Sequence, residues 1–139
     1  MNALDYIKSL DTADFRIEKC QRKIERLEII AQNLSSKPFD NDRVKSSGSK
    51  DRIGDLTIRI IEEKNHLAKL MDENEKKREY VISQIDKIED LRFQKIIYYR
   101  HIDKTKYEDI ADILDLAPKT VRDYYSKAMK EYERVFVMP

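Results

Sequence analysis

From Ala3 to Leu34 the apolar residues keep a seven-residue beat. One set reads Ala3, Leu10, Ile17, Ile24, Ala31, and the other Tyr6, Ala13, Cys20, Leu27, Leu34. Alternating steps of three and four predict a long amphipathic helix that buries one seam against another helix. The residues between are charges of both signs, such as Arg16, Glu18, Lys19 and Arg22, which seek water. Cys20 falls on the seam and reads as a small apolar filler. The stretch "SSKPFDNDRVKSSGSKD", near 35–51, breaks the pattern with Pro38, Gly48 and clustered Ser, Asn and Asp. It predicts a loop of about 17 residues, long for a helix–helix connection. Its "RVKSSGSK" carries bases and serines that suit a phosphate, although a solvated connector is the simpler reading.

A second long helix is expected from Lys50 or Asp51, with Ile53, Leu56, Ile60, Leu67 and Leu70 in heptad register. The seam then turns polar at Glu63, Asn74 and Lys77, and "DENEKKRE" (72–79) has no apolar residue. An all-polar helical stretch either projects into water or joins two units. Apolar spacing resumes at Val81, Ile85 and Ile88. The simplest architecture is all-α: a long, coiled-coil-like antiparallel helical hairpin in residues 1–83, then a smaller module in 84–139. Ile30, Ile58 and Ile61 lie off the seam, and this leftover apolar surface points to a homodimer through the hairpin or to another protein partner.

The C-terminal third has a different grammar. Asp90 can cap a helix from Leu91 to about Arg100, with Leu91, Ile96, Ile97 and Tyr99 inward. His101 to Lys104 form a turn. "TKYE" (105–108) reads as a capping box that starts a short helix, whose buried face is Tyr107, Ile110, Ala111, Ile113 and Leu114. Asp115 suits a left-handed position and Pro118 the first turn of the next helix, although Ala117 is a poor N-cap. A small Ala111, then Leu116, Val121 and Ala128, is the spacing of a helix-turn-helix, in which two helices cross closely.

Composition and charge sharpen this picture. Charged residues make up 40% of the 139, with two glycines and three prolines, which fits long helices. The net charge is only +1, so any nucleic-acid binding must come from local patterning. Between Lys106 and Leu116 one base stands against Glu108, Asp109, Asp112 and Asp115. Between Ala117 and Lys130 the signs reverse: Lys119, Arg122, Lys127 and Lys130 stand against Asp123 alone. Lys119, Arg122, Asp123, Ser126 and Lys130 recur at steps of three and four, so they share one helix face. That face suits the major groove. Lys119, Arg122 and Asp123 are the candidate base readers: arginine can take both acceptors of a guanine, and aspartate can accept from a cytosine amine or orient Arg122. Thr105, Lys106, Thr120, Ser126, Lys127 and Lys130 are the candidate contacts to the DNA backbone. A three-helix bundle with a charged face is the bland alternative.

The segment from about Ile85 to Arg134, through "LRFQKIIYYRHI" and "YEDIADILDLAPKTVRDYYSKAMKEY", resembles region four of the sigma factors. The whole chain resembles phage-encoded ArpU-like late-gene regulators, more weakly in its first half through "DRVKSSGSKDRIGDL". The resemblance implies a sigma-region-four-like helix-turn-helix and sequence-specific binding of double-stranded DNA, in a phage or prophage transcriptional regulator that contacts RNA polymerase. Pro118 departs from the pattern, at a position where sigma factors can place a polar base reader. Nothing matches the region that binds the −10 element, so an activator or adaptor is favoured over a complete sigma factor.

No catalytic set is visible, so no enzyme is expected, and no metal or cofactor. His66 and His101 lack zinc-ligand spacing and neighbouring cysteines. Adjacent acids such as Glu62 and Glu63 point different ways on a helix. There is no apolar run for a membrane, no signal-peptide order, and a single cysteine, so a cytoplasmic setting in a bacterial host is expected. Two rival functions are a helical protein-interaction factor (an anti-repressor or host-factor inhibitor) and a DNA-binding protein like a terminase small subunit.

Overall fold

The computed structural model describes residues 1–36 and 46–139, except for the side chains of 36 and 46–50. Among the described residues every regular element is helical. They run α1 (Ala3–Ser36), α2 (Ser46–Ile85), α3 (Leu91–Ile97), which passes into a π-helical turn (Tyr98–Ile102), α4 (Tyr107–Leu114) and α5 (Pro118–Val135). None of these helices is long and apolar enough to cross a membrane. Both long helices outrun their expected bounds: α1 ends two residues beyond Leu34, and α2 begins at Ser46, ahead of Lys50. The central part of the expected loop, 37–45, lies outside the described residues.

The described residues pack into two compact units. One compact unit is Met1–Thr12 with Asn74–Pro139, and the other is Ala13–Glu73. In the second unit the heptad positions Cys20, Ile24, Leu27 and Leu56 are buried, while Ile17, Ile53, Ile60, Leu67 and Leu70 are half-covered. Polar links join its two helical stretches. Glu63 takes the Lys23 ammonium at 2.7 Å and lies 3.7 Å from the Cys20 sulfur. The Lys23 hydrogen bond holds the Glu63 carboxyl below its usual range, and burial pushes the Cys20 thiol up. Phe15, Ile29, Ile30, Ile58 and Ile61 remain exposed there.

The first unit has two apolar clusters that share α5. The larger gathers Ala3, Ile7 and Leu10 of α1, Val81 and Ile85 of α2, Ile88, Ile97 of α3, and Ala128, Met129 and Tyr132 of α5. The smaller holds Ile96, Ile110, Ala111 and Val121, with Leu114, Leu116 and several tyrosines around it. Ile7 lies off the heptad seam, yet it is fully buried within this cluster. Tyr6, Tyr80 and Phe136 form an aromatic triad with centroids 5.4–6.2 Å apart. The chain's tail is strapped to α2: Val137 N–H donates to Gln84 at 2.9 Å, and the Tyr80 hydroxyl donates to the Val137 carbonyl.

Local starts and stops follow the sequence in part. Asp90 caps α3 by accepting from the Arg92 N–H at 2.9 Å. Leu91, expected inward, is 59% exposed, because its place in the first turn of α3 faces away from both clusters. The expected capping box at 105–108 does not form. Lys104 turns left-handed (φ 57), and the Thr105 N–H returns to the Tyr99 carbonyl at 2.8 Å. The Thr105 carbonyl in turn accepts from Arg100 at 3.3 Å, so this residue closes the π-turn and Lys106 becomes the N-cap of α4, without a side-chain bond. Ile113, expected inward, is 55% exposed: α4 is short, and Ile110 with Ala111 takes the covered side.

Asp115 adopts the left-handed conformation (φ 56, ψ 49) that ends α4. Its N–H bonds back to Asp112 and the Leu116 N–H to Ala111, the paired bonds of a Schellman turn. Leu116 then packs on the Ala111 cluster, which completes the motif. Pro118 starts α5 with its φ already set. A left-handed Asp is strained by its Cβ, and its charge opposes the helix C-terminal dipole. Asp115→Gly removes both costs, at the price of a freer unfolded chain. It should raise stability by roughly 0.5–1 kcal/mol, read as a higher Tm; a lower Tm would show that the Asp115 side chain matters in another way.

Candidate nucleic-acid interface

Burial sets the orientation of α5. Val121, Ala128, Met129 and Tyr132 are its buried residues, at helical steps along one side. The opposite side carries Lys119, Arg122, Asp123, Ser126, Lys127 and Lys130, all exposed, while Thr120 is half-covered. Of the remaining candidates, Thr105 is half-buried in the turn before α4, and Lys106 is exposed at its cap.

Contacts along this face are weak and reversible. The Arg122 guanidinium lies 3.8 Å from the Glu108 carboxylate of α4, with both side chains mostly exposed (62% and 65%). An exposed pair at that distance contributes about 0–1 kcal/mol, so Arg122 can exchange it for another anion. The acid beside Arg122 is thus on the neighbouring helix. Arg122 also lies over the Tyr107 ring at 5.7 Å. Ser126 donates back to the Arg122 carbonyl at 3.3 Å.

Sequence reading missed a contributor from α3. Arg92 sits over the Tyr124 ring at 5.1 Å, and Lys127 over the same ring at 5.9 Å. One tyrosine of α5 therefore gathers a cation from each of two helices. Arg92 also forks onto Asp90 at 3.0 Å, which holds that carboxyl below its usual range. The available signal was the position of Arg92 two residues after a capping acid, with its partner ring 32 residues further on.

A family model described as "Protein of unknown function (DUF1492)" matches residues 33–133. The chain belongs to this family. The DUF1492 match takes in α3, α4 and nearly all of α5. It is a match to that family and not to the sigma factors or the ArpU-like regulators. No curated protein and no solved structure matches the chain significantly.

In this DUF1492 chain one partly buried polar pair ties α5 to the π-turn. The His101 imidazole shares a 2.7 Å hydrogen bond with the Tyr125 hydroxyl. Burial is the main reason that the His101 pKa falls to about 4; Lys104, Arg100 and Lys8 push the same way, and Asp11 opposes them. Burial also pushes Tyr125 up to about 12. The folded protein thus holds His101 neutral, while the unfolded chain takes a proton near the ordinary value of 6.5. The stability this lends is complete above that value and declines as pH falls toward 4. Between pH 7 and 4.5 the loss traceable to His101 should be roughly 2–3 kcal/mol. Urea unfolding at both pH values, compared with His101→Gln, isolates it from the carboxylates; equal pH dependence in both proteins would refute the assignment.

Proposed function

We propose that the chain is a sequence-specific double-stranded DNA-binding transcriptional regulator. In this reading α4, its Schellman turn and α5 act as a helix-turn-helix, with α5 entering the major groove. The long helices α1 and α2 act as an antiparallel hairpin, available to a second copy. The observation that carries the reading is the two-sidedness of α5: one side is sunk in two apolar clusters, and the other offers Lys119, Arg122, Lys127 and Lys130 to solvent. A helix this firmly seated on a scaffold presents side chains without further ordering of its backbone.

The roles divide by place. Lys119 and Arg122, in the first two turns, are the base readers, with Asp123 beside them. Ser126, Lys127 and Lys130 lie farther along and meet phosphates, as do Thr105, Lys106 and Thr120. Arg92 joins the phosphate contacts through the ring it shares with Lys127. Arg122 exchanges its weak, exposed pair with Glu108 for the duplex. The sigma-like and ArpU-like resemblance supports a phage-encoded regulator and contact with RNA polymerase. The exposed acidic side of α4, with Ile113 bare among Asp109 and Asp112, suits that contact.

A second reading, a helical protein-interaction factor, draws on the exposed Phe15, Ile29, Ile30, Ile58 and Ile61 of the second unit. Duplex binding separates the two. Selection of bound sites from random duplexes should return a defined sequence, with log affinity falling linearly against log salt. Arg122→Ala should weaken the selected site by about 1–3 kcal/mol and relax one base position. Lys130→Ala should lower affinity evenly across sequences and leave preference intact. A protein with no salt-sensitive duplex binding would favour the interaction factor.

A further inference from the structure

A cleft of about 430 Å³ lies within the first unit, between the N-terminal stretch of α1 and the π-helical turn. Two elements supply its cations: Lys8 from α1, and Arg100 and Lys104 from the π-turn and the residues after it. One acid, Asp11, faces them. The hydrogen-bonded pair His101 and Tyr125 also lines it, and burial keeps that imidazole uncharged at neutral pH. Three cations against one carboxylate are a local concentration in a chain whose net charge is +1.

The backbone sets these groups in place. A π-turn is a rare deformation of a helix and often marks a functional site. Here it puts Arg100 and His101 side by side on the cleft, and the left-handed Lys104 follows. The Arg100 guanidinium lies over the Tyr107 ring at 4.3 Å and donates through Nη1 to the Thr105 carbonyl. The ring contact and this hydrogen bond restrain it, and guanidinium has further N–H donors for a ligand. Lys104 is ion-paired with Asp11. Tyr107 is the same ring that Arg122 covers from α5, so the cleft adjoins the reading face.

We infer that this cleft takes a phosphoryl group, held by Lys8, Arg100 and Lys104, with Asp11 as the internal anion that it displaces. Two sources share that chemistry: a backbone phosphate of bound DNA, and a free phosphate-bearing small molecule. The shared Tyr107 ring favours the backbone phosphate, and that choice alone rests on the DNA-binding reading.

The test uses the full-length chain, isotope-labelled and titrated with inorganic phosphate at constant ionic strength, with chloride as the reference. Amide shifts should cluster around residues 8, 100, 101 and 104. Lys8→Gln, an exposed change on α1, should weaken phosphate binding roughly three- to ten-fold. Asp11→Asn should strengthen it, a gain that damage to the fold cannot mimic. Shifts no different from those in chloride, or no gain in Asp11→Asn, would overturn the inference. A second measurement separates the sources. If the ligand is a backbone phosphate, Lys8→Gln lowers the salt slope of duplex binding by about 0.9 without altering base preference. An unchanged slope with phosphate binding intact assigns the cleft to a free phosphate-bearing molecule. Phosphate binding without any duplex binding keeps the cleft and removes the DNA reading.

Discussion

Everything about α5 depends on which of its sides is dry. Val121 belongs to one apolar cluster, and Ala128, Met129 and Tyr132 to another. Fully burying one large apolar side chain is worth about 1.5–3 kcal/mol, so these residues together fix the roll of the helix about its axis. Rolling it half a turn would expose them and bury Lys119, Arg122 and Lys130 without partners, which costs far more. The cationic side is therefore held outward by the apolar side, not by its own interactions. The weak pair between Arg122 and Glu108 agrees with this, since it is too exposed to position anything.

The turn ahead of α5 sets where that face begins. Asp115 reverses the backbone, Leu116 plugs the apolar cluster, and Pro118 opens the new helix at once. Ala111 lies at the crossing, fully covered, where a longer side chain would wedge the helices apart. The strain at Asp115 is a small local cost, accepted for a tight connection. The same economy appears at Lys104, a second left-handed residue that ends the π-turn. Both sit just outside a helix, and each has cations close by in sequence or space.

The π-turn links α4 and α5. Its His101 reaches Tyr125 of α5, and its Arg100 stacks on Tyr107 of α4. A ring of tyrosines thus mediates between cations: Tyr107 under Arg100 and Arg122, Tyr124 under Arg92 and Lys127. Aromatic faces suit this task, because they attract a cation without neutralising it. The cations stay available to an outside anion while their directions are restrained.

Periodicity and local chemistry were enough to determine the helical class, the heptad burial of Cys20, Ile24 and Leu27, the cap at Asp90, the left-handed Asp115, and the apolar set Ala111, Val121 and Ala128. Each of these follows from residues within a few turns of one another, where steric rules and spacing act alone. The outward placement of Lys119 and Arg122 was legible for the same reason. The burial of Ile7, the exposure of Leu91 and Ile113, the failed capping box at Thr105 and the part of Arg92 were decided by tertiary structure. Ile7 is buried in a cluster drawn from α1, α2, α3 and α5, whose residues lie as far as 125 positions away, and Thr105 gave its backbone to a π-turn whose register no local pattern announces. A side chain's own spacing says which face it shares, but only the packed neighbours say whether that face is the one that stays dry.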